Sequence, residues 1–190
     1  MIMKMMLAIQ DLDNYILLSI KNKMHGYVMD KTMVLITSLG NGGIIWIVIS
    51  ILLMSNKEYR NIGFMTSETL ILSTIIGEGI VKHLVRRIRP CNHLNENKLL
   101  IAEPKSYSFP SGHTLSSFAV AGVLSMYFAE YSFIFIGIAF LIALSRLYLY
   151  VHYPTDVIAG IIFGLLCSKL VFIILQQGYF EKIIVVYKNM

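Results

Sequence analysis

Charge is scarce in this chain. Asp, Glu, Lys and Arg make up 14% of its 190 residues, against 56% hydrophobic residues and a mean hydropathy of +0.69, a balance outside the range of soluble domains. A membrane solvent explains it most simply. Cysteine is scarcer still: Cys91 lies in a polar stretch and Cys167 in a long apolar run, which excludes a disulfide framework and leaves the redox compartment open. Of the four prolines, Pro90, Pro104 and Pro110 fall in one interval, so the apolar runs elsewhere are free to be helical. Neither an internal repeat nor a low-complexity tract is present. Acidic side chains are almost missing from the apolar runs, where only Glu68 and Glu78 fall inside an expected helix and Glu130 stands at a break. A metal centre needs a cluster of carboxylates and histidines, and Glu78, four residues before Lys82, is better placed for an intrahelical ion pair. No metal and no cofactor are expected.

The apolar runs are long. A helix crosses the hydrocarbon with about 20 mostly apolar residues. Four stretches meet this: residues 33–54, 62–85, 114–150 and 157–175, the third broken near Glu130-Tyr131 into two helices. The expected fold is therefore all-α, a polytopic membrane helical bundle of five spans in a single domain over residues 1–190. Within residues 1–30, Leu12, Tyr15, Ile16, Leu18 and Ile20 alternate with Asp13, Asn14, Lys21 and Lys23, the pattern of an interfacial amphipathic helix. A sixth, shallow span is the alternative. Asp11 and Asp13 interrupt the apolar start before a signal-peptide core is complete, so the segment is read as part of the mature protein. Asn41-Gly42-Gly43 marks a break or kink in the first span. The net charge of +5 argues for anionic lipid rather than nucleic acid, because the basic residues gather between the apolar runs.

Three short segments between residues 82 and 156 carry the chemistry. The first, Lys82 to Pro90, ends the second span; Lys82, Arg86 and Arg89 share a face for as long as the helix lasts. An anion site fits that face, and so does a basic flank touching headgroups. The second, Ser108-Phe109-Pro110-Ser111-Gly112-His113, precedes the third span. Ser111 is placed to cap a helix whose first N–H groups lack partners, and Gly112 admits an anion close to the backbone. An ordinary cap with an interfacial His113 is the plain alternative. The third, Ser145-Arg146 through His152-Tyr153-Pro154-Thr155-Asp156, joins the last two spans. His152 and Asp156 are four apart, which suits a carboxylate that fixes an imidazole tautomer; the alternative is an interfacial turn with Tyr148, Tyr150 and Tyr153 as an aromatic belt. Alternating spans bring all three segments to one membrane face. There Lys82, Arg89 and Arg146 lack enough acid to neutralise them, and a phosphate supplies the missing charge.

Lys82 to Pro90, Pro110 to His113, and Ser145 to Asp156 together resemble the three-part signature of the type 2 phosphatidic acid phosphatase superfamily, with no departure at the signature positions. The resemblance implies that His152 is the nucleophile, that Asp156 orients it, and that His113 protonates the leaving group and then activates water. It also implies that Lys82, Arg89, Ser111, Gly112 and Arg146 hold the phosphoryl oxygens. The implied reaction is metal-independent hydrolysis of a lipid phosphate through a phosphohistidine. Undecaprenyl diphosphate, phosphatidic acid and phosphatidylglycerophosphate are the candidate substrates. A non-catalytic lipid-phosphate-binding membrane protein is the rival, although it has no need of two histidines.

Sidedness divides the arguments. Lys21, Lys23, Lys31, Lys98, Lys105 and the motif cations outnumber Lys57, Arg60, Lys182 and Lys188 on the other face, so a positive-inside count puts the active face in the cytoplasm. The resemblance implies the extracytoplasmic face of a multi-pass cell-membrane protein, its active-face cations being used on phosphate. Oligomeric state is not legible. Gly160 and Gly164 in the last span suit close helix packing, within one chain or between two.

Overall fold

The computed structural model describes residues 2–93 and 99–176, so Lys98, Lys182 and Lys188 lie outside the described residues. The described residues form eight α-helices: α1 (Ile2–Lys23), α2 (Tyr27–Gly40), α3 (Ile44–Ser55), α4 (Arg60–Thr74), the short α5 (Lys82–Val85), α6 (Gly112–Tyr127), α7 (Ser132–Tyr148) and α8 (Pro154–Gln176). Four stretches among the described residues are long and apolar enough to cross a bilayer: Tyr27–Ser55, Arg60–His93, Ala129–Tyr148 and Pro154–Ile174. The protein is an all-α, multi-pass membrane bundle.

The expected third span is enclosed by the rest of the bundle. Helix α6 has 16 residues and is buried at every position from Thr114 to Leu124, packed against α4, α7 and α8. Its sequence reads as a span because a helix enclosed on all sides is apolar all round, whether lipid or protein encloses it. Small residues let its neighbours approach. A Cβ on Gly164 of α8 would stand 2.6 Å from the Leu115 carbonyl oxygen, and one on Gly160 would stand 3.0 Å from that of Ser111, so both glycines serve packing within the chain. Trp46, fully buried, donates from Nε1 to Ser117 Oγ at 2.9 Å, and Ser50 bonds Thr66 at 2.8 Å. These four side chains thus find partners inside the bundle where lipid offers none.

Two irregularities shape the active end. Helices α2 and α3 are joined by the 3-10 turn Asn41–Gly43, where Gly42 and Gly43 take φ of 58° and 72°, a conformation that favours glycine. This is the break expected from the sequence. Helix α4 continues through a π-helical stretch, Ile75–Val81, into α5. Such turns re-aim side chains and recur at functional sites. The chain then leaves the helix at Val85, with Arg86 in the left-handed region at φ 52°.

Helix α1, 22 residues long, lies within the segment 1–30 where an amphipathic helix is expected. It points Leu12, Tyr15 and Leu18 outward and buries Asp13 and Leu17. An acid on the inward face is the reverse of an ordinary amphipathic helix.

Candidate active site

The three sequence segments meet. Lys82 and Arg89 from the first, Gly112 and His113 from the second, and Arg146 and His152 from the third line one cavity of about 320 Å³, with Gly40, Gly42, Gly43, Ser73 and Thr74 on its far wall. Ser111 and Asp156 sit behind that lining and are fully buried.

The cations come first. Lys82 is 2% exposed; its Nζ donates to Glu78 Oε1 at 2.6 Å and to Ser106 Oγ at 3.0 Å. The ion pair expected between Glu78 and Lys82 is present, and the Glu78 carboxylate lies directly over Gly112, where a Cβ would strike it. Arg89 is fixed by backbone: Nε donates to the Ser106 carbonyl at 2.6 Å, Nη2 to that of Tyr107 at 3.1 Å, and Nη1 to that of Val151 at 2.8 Å. Arg146 donates from Nη1 to Thr37 Oγ1. Its buried Nε has no protein partner. A buried guanidinium with an orphaned donor is costly, and an anion in the cavity would satisfy it.

Among these cations lies the imidazole of His152, 1% exposed. Arg89 Nη1 stands 3.0 Å from its Nε2. Arginine only donates, so Nε2 is the unprotonated nitrogen and the hydrogen resides on Nδ1. That hydrogen faces Asp156, whose Oδ2 lies 3.6 Å away, longer than a hydrogen bond; Nδ1 accordingly has no bonded partner. Burial first, then the fields of Arg89, Arg146 and Lys82, push His152 well below its ordinary protonation range. It is a neutral imidazole whose lone pair faces the cations.

The second histidine is positioned by the α2–α3 turn. His113 Nε2 is 2.9 Å from Asn41 Oδ1, and Gly40 makes room for it, since a Cβ there would stand 2.8 Å from His113 Cδ2. Ser111 occupies the cap position of α6 without capping it: no side-chain oxygen takes the helix's first N–H groups, and Ser111 Oγ instead accepts from Thr114 Oγ1 at 2.9 Å. Those amide donors stay available to an anion.

The sequence reading needs two corrections in detail. Arg86 does not share a face with Lys82 and Arg89, because the helix ends before it; its side chain turns back to the His83 carbonyl at 3.0 Å and is exposed. Arg87 takes an inward place instead. The tyrosine belt is not formed either, as Tyr148 and Tyr153 are 3% exposed. Sequence reasoning also missed Asn41 and Ser106, which carry no signal beyond polarity, and the buried Asp13. In the loop that follows α5, His93 lines a neighbouring cavity of about 480 Å³, and Phe109 packs edge-on against Phe163.

Two histidines, three buried cations and an open helix N-terminus within a membrane bundle form an arrangement suited to holding a phosphoryl group and transferring it. Residues 64–179 match the PAP2 superfamily model, and the chain belongs to that superfamily of phosphatases. It is 36% identical to an undecaprenyl-diphosphatase of Sulfolobus acidocaldarius over 141 residues, 73% of this chain and 68% of the relative. The bacitracin transport permease protein BcrC of Bacillus licheniformis, 34% identical, and a lipid A 1-phosphatase of Rhizobium etli, 32% identical, are matched over 53% and 46% of their own length. Its fold is similar to the crystal structure of the PAP2-type phosphatidylglycerolphosphate phosphatase of Bacillus subtilis, with a TM-score of 0.71 and 27% identity over 93% of this chain and 88% of that one. It is also similar to LpxE of Aquifex aeolicus, with a TM-score of 0.67 and 28% identity over 85% and 94%.

Proposed function

We propose that the protein hydrolyses a phosphate or diphosphate carried by a membrane lipid, through a phosphohistidine at His152. The observation that carries this reading is the unprotonated Nε2 of His152 facing Arg89 at 3.0 Å inside a cavity lined by Lys82 and Arg146. Lys82, Arg89, Arg146, Ser111 and the Gly112 amide hold the phosphoryl oxygens, and the lone pair of Nε2 forms a bond to phosphorus. The bond to the lipid oxygen breaks as His113 gives that oxygen a proton. Water then attacks the phosphohistidine, His113 takes its proton, and the P–N bond breaks to release phosphate. Asp156 steadies Nδ1–H while positive charge develops on the ring.

The reaction as proposed uses no metal. Among the described residues, no three His, Cys, Asp or Glu side chains gather as metal ligands, and three buried cations are placed where a metal would otherwise neutralise the phosphoryl oxygens. The relatives named for undecaprenyl diphosphate and phosphatidylglycerol phosphate support a lipid substrate. The test is phosphate release from detergent-dispersed phosphatidic acid, phosphatidylglycerophosphate and undecaprenyl diphosphate, with and without excess chelator. Turnover of at least one lipid, undiminished by chelator, is expected. Binding of all three with no release would leave a lipid-phosphate-binding protein, and loss in chelator restored by magnesium would remove the metal-free mechanism.

The whole chain, residues 1–190, works in this proposal as one domain. Helix α6 serves as a fifth, enclosed span, α1 (Ile2–Lys23) lies at the interface, and residues 82–156 hold the site. The active end faces the extracytoplasmic side, because its cations are engaged with phosphate while Lys57 and Arg60, in the short turn at the other end, remain free to orient the protein. A cysteine placed at Lys105 should react in intact cells with an impermeant thiol reagent. Protection there, with reaction at a cysteine placed at Lys57, would reverse the orientation.

A further inference from the structure

Lys82, Arg89 and Arg146 line the cavity that holds both histidines, but Arg87, two residues from Arg89, turns the other way. Its Nη1 donates to Asp156 Oδ1 at 2.8 Å and to Thr155 Oγ1 at 2.7 Å. Its Nη2 donates to Asp13 Oδ2 and to Gln10 Oε1, each at 2.7 Å, and the guanidinium lies 3.9 Å over the ring of Tyr153. Asp13 is 1% exposed and also accepts the Thr155 amide at 3.0 Å and the Thr155 hydroxyl. One arginine thus bridges two buried carboxylates, one on α1 and one on α8, and the second of them faces the nucleophile.

A buried carboxylate is expensive unless it is paired and hydrogen-bonded, and an interfacial helix needs none on its inward face. The arrangement becomes intelligible through its charges. Asp13, Arg87 and Asp156 together carry one net negative charge. With Asp13 present, Arg87 divides its positive charge between two acids, and Asp156 keeps negative charge to present to Nδ1 of His152. Without Asp13, Arg87 would neutralise Asp156 alone. Arg87 also fixes the carboxylate in place: it takes Oδ1, the Tyr153 amide takes Oδ2 at 2.9 Å, and Oδ2 is thereby left facing His152 at 3.6 Å.

We propose that Asp13 and Arg87 are positioning residues of the reaction, holding Asp156 at the Nδ1 edge of His152 and setting the charge it presents there, so that α1 is part of the active site. This rests on the reading of His152 as the nucleophile. The groups facing His152 are Lys82, Arg89, Arg146 and His113 from the cavity side and Asp156 from behind. Arg87 and Asp13 act through Asp156 and touch no substrate.

The test compares full-length wild type with Asp13→Asn and Arg87→Gln, measuring kcat, KM and the pH dependence of kcat/KM on a lipid phosphate, with thermal melting as the check on folding. Asp13→Asn keeps the shape of the side chain and most of its hydrogen bonds. It should lose about tenfold in kcat with KM changed less than about twofold, since a displaced carboxylate spoils the attack geometry rather than binding. Its acidic limb should move to lower pH, because attack needs neutral His152 and removing a nearby negative charge makes the imidazolium harder to form. Arg87→Gln removes a positive charge, so its acidic limb should move to higher pH. Opposite shifts are not the result of a merely structural loss. Wild-type kcat and profile in Asp13→Asn, or shifts of the same sign in both variants, would overturn the proposal. Should Arg87→Gln fail to fold, Asp13→Asn decides alone. A wild type that releases no phosphate overturns the enzymatic reading and this one with it, whereas active wild type with an indifferent Asp13→Asn overturns this one alone.

Discussion

Alanine at His152 should lower phosphate release by at least about a thousandfold, because no other side chain offers a lone pair at that point and the loss of a nucleophile is the largest single loss such a site can suffer. The fold should survive. His152 lies in the turn between α7 and α8, makes no hydrogen bond from Nδ1, and accepts at Nε2 from Arg89, whose other donors are held by the carbonyls of Ser106, Tyr107 and Val151. Phosphate binding should persist as well, since Lys82, Arg89 and Arg146 remain. Loss of turnover with inorganic phosphate still raising the melting temperature is therefore the expected pair of results. Residual turnover above about a tenth of wild type would assign the attack to another group.

The second large effect belongs to His113. Its place beside the cations, held by Asn41 at 2.9 Å, gives it no role in keeping the cavity closed; its proposed work is on the proton of the leaving oxygen. Alanine there should cost about 10²–10⁴-fold on an alkyl phosphate of a lipid, the usual range for a positioned acid. The loss should be much smaller on an aryl phosphate whose phenolate leaves without protonation. Dephosphorylation still needs the base, so a burst of phenolate followed by slow turnover is expected with the aryl substrate. Equal losses on alkyl and aryl substrates, with no burst, would take the acid role away from His113.

Much of this architecture is legible in the chain. Apolar runs of membrane length locate the helices, Asn41-Gly42-Gly43 marks the α2–α3 break, and the three polar segments converge on one cavity. What sequence cannot separate is a helix enclosed by protein from one enclosed by lipid, and α6 reads as a span for that reason. The same limit hides the direction of Arg86 and Arg87. Helical periodicity puts Arg86 with Lys82 and Arg89, but the chain passes into the left-handed region at Arg86, and every later side chain is re-aimed. Asp13 is hidden for a different reason: on a wheel it belongs to the polar face, and only its distant partners, Arg87 and Thr155, turn that face inward. For α6 and Asp13 the missing information is a contact between residues far apart in the chain, and for Arg86 it is a local turn of the backbone.

The central claim is a bond between phosphorus and Nε2 of His152. It is tested most directly by mixing enzyme and lipid phosphate for a fraction of a second, quenching in alkali, where phosphohistidine survives, and locating the phosphate on the digested protein by mass spectrometry. The account predicts phosphate on the peptide carrying His152, more of it in His113→Ala than in wild type, and none in His152→Ala. Phosphate on a different residue, or undiminished label in His152→Ala, would contradict it.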